Sequence, residues 1–146
     1  SQGGVIERFV GDAVMAVFYS GGEKAAEVRA AAAALEMRRQ LVALNHDRSE
    51  RGLFTIENGV GIATGEASSG IVGREGGRMV FAVIGEVAHR AEILESLTRK
   101  VSSKVLVCAE TRKLIDDHFL LGSSLESSAG LAFELCDPGT SGGNNG

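Results

Sequence analysis

Asp12 is the first residue whose placement suggests chemistry. It follows Gly11 inside Gly3–Phe18, a stretch that reads as two short apolar strands hinged at the Gly-Asp pair. It is the only carboxylate at that tip. A lone Gly-Asp usually supplies turn geometry and nothing more. Glycines 65, 70, 73, 76 and 77 form a second candidate, because backbone N–H groups of a glycine-rich loop can cradle phosphate. No Gly-Lys-Ser/Thr follows them, which excludes a P-loop, and turn geometry accounts for most of these glycines. Cys108 and Cys136 each lie in apolar, strand-like runs. Without a secretory context they are expected to be free, reduced and structural.

The elements that must position these residues follow from periodicity. Ala13–Phe18 carries no charge and does not alternate, which predicts a strand covered on both faces. Ser20-Gly21-Gly22 breaks the chain, and Glu23 to about Asn45 reads as a helix. Its apolar stripe is Ala26, Ala30, Ala34, Met37, Leu41 and Leu44, with Arg29, Glu36 and Arg39 on the opposite side. His46–Gly52 is a polar connector. Strands are predicted over Phe54–Ala63, Ala67–Val72, Met79–Ile84 and Lys104–Ala109, and a final edge strand over Gly130–Cys136. Helices are predicted over Glu86–Leu97 and Glu110–Asp117. The domain spans residues 1–136, and 137–146 is a flexible tail, glycine-rich from Pro138 onward. Strands alternating with helices predict an α/β sandwich, helices packed against one sheet.

The totals fit that picture. A chain of 146 residues, 44% hydrophobic and of net charge −4, describes one soluble globular domain. The mild acidity gives no reason to expect nucleic acid or an anionic membrane as partner. Unbroken apolar runs such as Ala30–Leu35 are too short to span a bilayer and no signal peptide is visible, so the expectation is cytoplasmic.

Three ordered blocks carry a specific resemblance. Gly3-Gly4-Val5-Ile6-Glu7-Arg8-Phe9-Val10-Gly11-Asp12-Ala13-Val14-Met15-Ala16-Val17-Phe18 is the first. Val60-Gly61-Ile62-Ala63-Thr64-Gly65-Glu66 with Gly70-Ile71-Val72-Gly73 is the second. Val83-Ile84-Gly85-Glu86, leading into Ala91, Leu94, Glu95 and Ser96, is the third. Together they resemble the class III nucleotidyl cyclases, the catalytic domains of adenylate and guanylate cyclases. The resemblance implies a ferredoxin-like α+β sandwich with a mixed sheet, working as a homodimer or heterodimer. It implies a nucleoside triphosphate, ATP or GTP, as substrate and Mg²⁺ or Mn²⁺ as cofactor.

Residue by residue, the resemblance makes Asp12 one of two metal-binding carboxylates. The other belongs to a first strand with a Phe-x-Asp-Ile pattern, which has no counterpart in this sequence. That strand is central in the family sheet, so its seat is expected to be filled by a second chain, by upstream residues or by a rearranged sheet. An Asn and an Arg four residues apart on a helix complete each family site across the dimer. Those positions hold His89 and Ile93. The Arg stabilises charge that builds on the phosphate, and loss of one such donor costs about 10²–10³-fold in rate. Arg90 lies about 60° round the helix from Ile93, which predicts a solvated or salt-bridged surface arginine. The base-selecting positions hold Arg8 and Ala82, and Ala82 has no group to read a base edge. Glu86 stands where the family has Asp, a structural position. The metal carboxylate survives and the nucleotide-orienting positions do not. That predicts a catalytically degenerate, dimerising or regulatory domain. The alternative is the metal-donating half of an active heterodimer.

Overall fold

A strand that is apolar at every position must be covered on both faces. Val105-Leu106-Val107-Cys108 is such a run, and none of the four is more than 1% exposed. The fold is built outward from it. The computed structural model describes residues 2–10, 13–66, 68–73 and 79–137, with the backbone alone at 7–10, 68–73 and 79–84. In chain order the elements are β1 (Val5–Val10), β2 (Ala13–Val17), α1 (Ala26–Glu50), β3 (Val60–Ile62), β4 (Ser68–Gly73) and β5 (Met79–Ile84). They continue with α2 (Glu86–Leu97), β6 (Val105–Cys108), α3 (Ala109–Ile115), β7 (Leu120–Ser127) and β8 (Gly130–Cys136).

The main sheet runs β3-β6-β8-β7 and is mixed: β3 is parallel to β6, and the other pairs are antiparallel. Alternate residues of β6 serve its two faces. Val105 and Val107 pack with Ala31, Ala34 and Leu35 of α1, Ile115 of α3 and Leu135 of β8. Leu106 and Cys108 pack with Leu94 of α2 and Ala132 of β8. The hairpins β1–β2 and β4–β5 stand beside this sheet, with β1 running against β5.

Several sequence expectations are corrected. Helix α1 continues to Glu50, through residues read as a connector. It stops where Gly52 adopts φ 72° and the Leu53 amide donates to the Arg48 carbonyl at 2.8 Å, a glycine-based helix end. Only Val60–Ile62 of the expected strand 54–63 pairs with another strand. Ahead of it, α1 side chains replace a strand neighbour: Asn45 exchanges two 2.7 Å hydrogen bonds with the Ile56 backbone, and Arg48 Nε donates to the Phe54 carbonyl at 2.8 Å. Strand β8 is interior, because the serine-rich β7, absent from the sequence reading, pairs along it and takes the sheet edge. Gly73, read as a turn residue, lies within paired strand β4, and Gly70 lies in the same strand as expected. The tail from Pro138 lies outside the described residues, while Asp137 is held at 2.7 Å by Arg39 Nε.

Strand β2 is not covered on both faces, since Val14 is 53% exposed. Among the described residues β2 pairs only with β1, and β3 only with β6. Between these two strands lies an apolar cavity of about 260 Å³, lined by Val14–Phe18 on one side and Val60–Gly65 on the other. Ala26, Ala30, Ala33 and Met37 of α1 also line it. Much of the expected stripe on α1 therefore faces the cavity, and Met37 is 50% exposed there. The face buried in the core is Ala31, Ala34 and Leu35, of which only Ala34 belongs to the expected stripe.

Candidate functional site

Helix α2 is seated directly on β3. A Cβ at Gly61 would lie 2.4 Å from the Ala91 carbonyl oxygen and 2.4 Å from the Glu95 amide nitrogen. A Cβ at Gly65 would meet Arg90 Nη2 at 2.9 Å and Val87 Cβ at 3.2 Å. Close approach to α2 favours a small residue at Gly65. Leu94 anchors the inner face of α2 in the core, and Glu86, His89, Glu92, Glu95 and Ser96 face solvent. Glu86 sits exposed in the first turn, where a carboxylate complements the positive end of the helix.

His89 and Ile93 share one side of α2, as their spacing dictates. The His89 side chain is 72% exposed, with Nδ1 4.0 Å from the Glu92 carboxylate. Ile93 is half-buried, and its hydrocarbon side chain donates no hydrogen bond. The nearby guanidinium is committed elsewhere. Arg90 Nη1 lies 3.3 Å from Glu110 Oε2, and Nη2 donates to the Thr64 carbonyl at 3.1 Å. Nε is buried without a hydrogen-bond partner among the described residues. The backbone N–H of Glu110, the Cys108 thiol and then Arg90 hold the Glu110 carboxyl below its ordinary value of 4.5. Arg90 is thus salt-bridged, as expected, and ties α2 to α3 and to the end of β3.

Beneath this tie, Thr111 Oγ1 bonds Thr64 Oγ1 at 2.8 Å and Cys108 Sγ at 3.2 Å. Cys108 serves that packed network, and both it and Cys136 are free thiols. Burial and the neighbouring Glu134 push the Cys136 thiol above its ordinary value of 9.0.

The other candidate positions fall on the hairpins. Arg8 stands opposite Met15 in β1–β2, and Ala82 opposite Gly70 in β4–β5. Because β1 runs against β5, the fold brings these two positions onto contacting strands. The side chains of Arg8 and Ala82, and all of Asp12, lie outside the described residues. The described residues gather no three His, Cys, Asp or Glu side chains able to hold a metal ion, so they do not by themselves fit a Mg²⁺ or Mn²⁺ site. Neither His89 nor Ile93 lines the cavity between β2 and β3. That cavity is a gap between two strand edges.

Known proteins share this arrangement. No protein-family model matches the chain. An adenylate cyclase of Dictyostelium discoideum, described as terminal-differentiation specific, is 35% identical over 114 residues, 78% of this chain and 5% of that protein. An adenylate cyclase of Anabaena cylindrica is 34% identical over 109 residues, 72% of this chain and 21% of that protein. The chain therefore spans only a small part of both relatives. The crystal structure of the adenylyl cyclase CyaB from P. aeruginosa superposes with a TM-score of 0.79 at 26% identity, covering 93% of this chain and 73% of that one. The chain belongs to the class III nucleotidyl cyclase family. The guanylyl cyclase Cya2 has the same fold, with a TM-score of 0.78 at 24% identity over 92% of this chain and 70% of that one.

Sequence reasoning missed one residue that shapes the family hairpin here. Arg29, assigned to the solvent side of α1, donates instead to backbone carbonyls at the base of β1–β2, including those of Tyr19 and Gln2. Its only sequence signal is an arginine one turn into a helix that follows a Gly-Gly break. No helix among the described residues is long and apolar enough to cross a membrane.

Proposed function

We propose that this domain is a catalytically degenerate cyclase homology domain that works in cyclic-nucleotide signalling as a dimerising, regulatory module, in the cytoplasm. The state of Arg90 carries the reading. Turnover of ATP or GTP to a cyclic nucleotide and pyrophosphate calls for a donor where charge builds on the phosphate. Ile93 at that position offers none, and the adjacent guanidinium is engaged by Glu110 and the Thr64 carbonyl. His89 could still donate one hydrogen bond to a ribose, but it shares its exposed face with Glu86 and Glu92, whose charges repel a triphosphate. Ala82 leaves the base edge unread. The test is a cyclase assay on the full-length protein with Mn²⁺ and ATP or GTP, beside the double variant His89→Asn, Ile93→Arg. Turnover by the double variant alone supports the reading. Turnover by the unaltered protein refutes it.

Asp12 favours a second reading, in which the chain is the metal-donating half of a heterodimer. Its carboxylate, with a second from elsewhere in the full-length protein, would hold Mg²⁺ or Mn²⁺, which supplies Lewis-acid chemistry. The partner would contribute the Asn and Arg. Mixing the protein with a family domain that has Asn and Arg but lacks the metal aspartates decides between the two. Product formed only in the mixture excludes a purely regulatory role.

A further inference from the structure

The β1–β2 hairpin runs against β5 and joins α1 at its base, and one side chain organises that base. Arg29 Nη1 donates to the carbonyls of Gln2 at 3.3 Å and Gly3 at 3.5 Å, just ahead of β1. Nη2 donates to the Tyr19 carbonyl, just after β2. Nε donates to the Lys24 carbonyl at 3.3 Å, on the way back to α1. One guanidinium thus binds both legs of the hairpin and the loop that returns from it. Gly3 adopts φ 74° beside it, and a Cβ there would lie 3.2 Å from Arg29 Nη1. The Phe18 ring has its centroid 5.9 Å from Arg29 Cζ. It also covers Gly4, where a Cβ would come within 2.5 Å of the ring.

We propose that Arg29 is a positioning residue. It fixes the angle of the β1–β2 hairpin on α1 and so the place of Val10 and Ala13, the paired strand ends that flank Gly11 and Asp12 in sequence. The catalytic relevance of that place rests on the reading of Asp12 as the surviving metal carboxylate. The leverage is geometric. Strand β1 rises about 3.3 Å per residue, so its far end at Val10 stands about 23 Å from the clamp at Gly3. A tilt of about 5° at the base moves that end by about 2 Å, enough to cost about 10²-fold where a group must meet a reacting centre. The open side of β2 on the cavity leaves the angle more dependent on the clamp, since no second strand pairs with β2 among the described residues. A lysine keeps the charge but presents a point donor in place of a planar fork, and cannot reach carbonyls on three sides together.

The test is a distance measurement between spin labels. They are attached at Ala13→Cys and Gln40→Cys in a Cys136→Ser background, with Cys108 protected by its 1% exposure. A second pair, Gln40→Cys with Glu92→Cys, reports on the main body. Arg29→Lys and Arg29→Ala are expected to broaden the 13–40 distribution and shift it by about 2 Å, leaving the 40–92 distribution in place. Unchanged 13–40 distances in both variants overturn the inference, as does an equal shift in both pairs, which marks general loosening. The distances need no turnover. Failure of the cyclase reading appears separately, as absence of product in the mixture with a complementary partner.

Discussion

Gly61→Ala tests how α2 is seated. The added Cβ would stand 2.4 Å from two backbone atoms of α2, the Ala91 carbonyl oxygen and the Glu95 amide nitrogen. Ordinary contact is about 3.5 Å, so helix and strand must part by about 1 Å. A gap of that size forfeits about a quarter to a half of each dispersion contact across it. Those contacts include Leu94 against Leu106, Cys108 and Ala132. Overpacking costs about 1–3 kcal/mol, and a clash with backbone that cannot rotate away belongs at the upper end, about 3 kcal/mol. For a chain of this size that is a fall of about 10 °C in melting temperature. The assay is thermal unfolding followed by circular dichroism. Adding Leu94→Ala should not rescue the variant, because its backbone contacts remain. A fall of less than about 3 °C, or rescue by Leu94→Ala, would refute the seating.

Three further outcomes follow from the same contacts. Asn45→Ala removes both hydrogen bonds that hold the Ile56 backbone to α1. The loss should be about 1–2 kcal/mol, with faster hydrogen exchange at the Ile56 amide as the readout. The Glu110 carboxyl is held below 4.5 in the folded state, so its charged form contributes stability above that pH and the contribution is lost as pH falls below it. Glu110→Gln should therefore lower the urea midpoint at pH 6, and the difference from the parent should shrink toward pH 3. The Cys136 thiol, raised by burial and by Glu134, should alkylate at pH 8 more slowly than free cysteine, and Glu134→Gln should speed it.

What the sequence disclosed depended on how local each signal was. The unbroken apolar run of β6 and the periodic, capless α2 were readable because burial on both faces and a 3.6-residue period leave marks in neighbouring residues. Strand β7 left no such mark: Leu-Leu-Gly-Ser-Ser-Leu-Glu-Ser owes its strand to pairing with β8. The stripe on α1 was real, but Ala26, Ala30 and Met37 face a cavity while Ala31 and Leu35 face the core, and sequence alone does not say which face is filled. At the site, the shared side of His89 and Ile93 followed from spacing. The engagement of Arg90 by Glu110, twenty positions away, and of Arg29 by both hairpin legs, exists only in the folded chain.

The decisive assay is product formation by the unaltered full-length protein, alone with Mn²⁺ and either ATP or GTP. With Ile93 at the charge-stabilising position and Arg90 held by Glu110 and Thr64, no cyclic nucleotide is expected above the protein-free control. Sustained turnover that survives repurification, and is abolished by Arg90→Ala, would contradict that expectation.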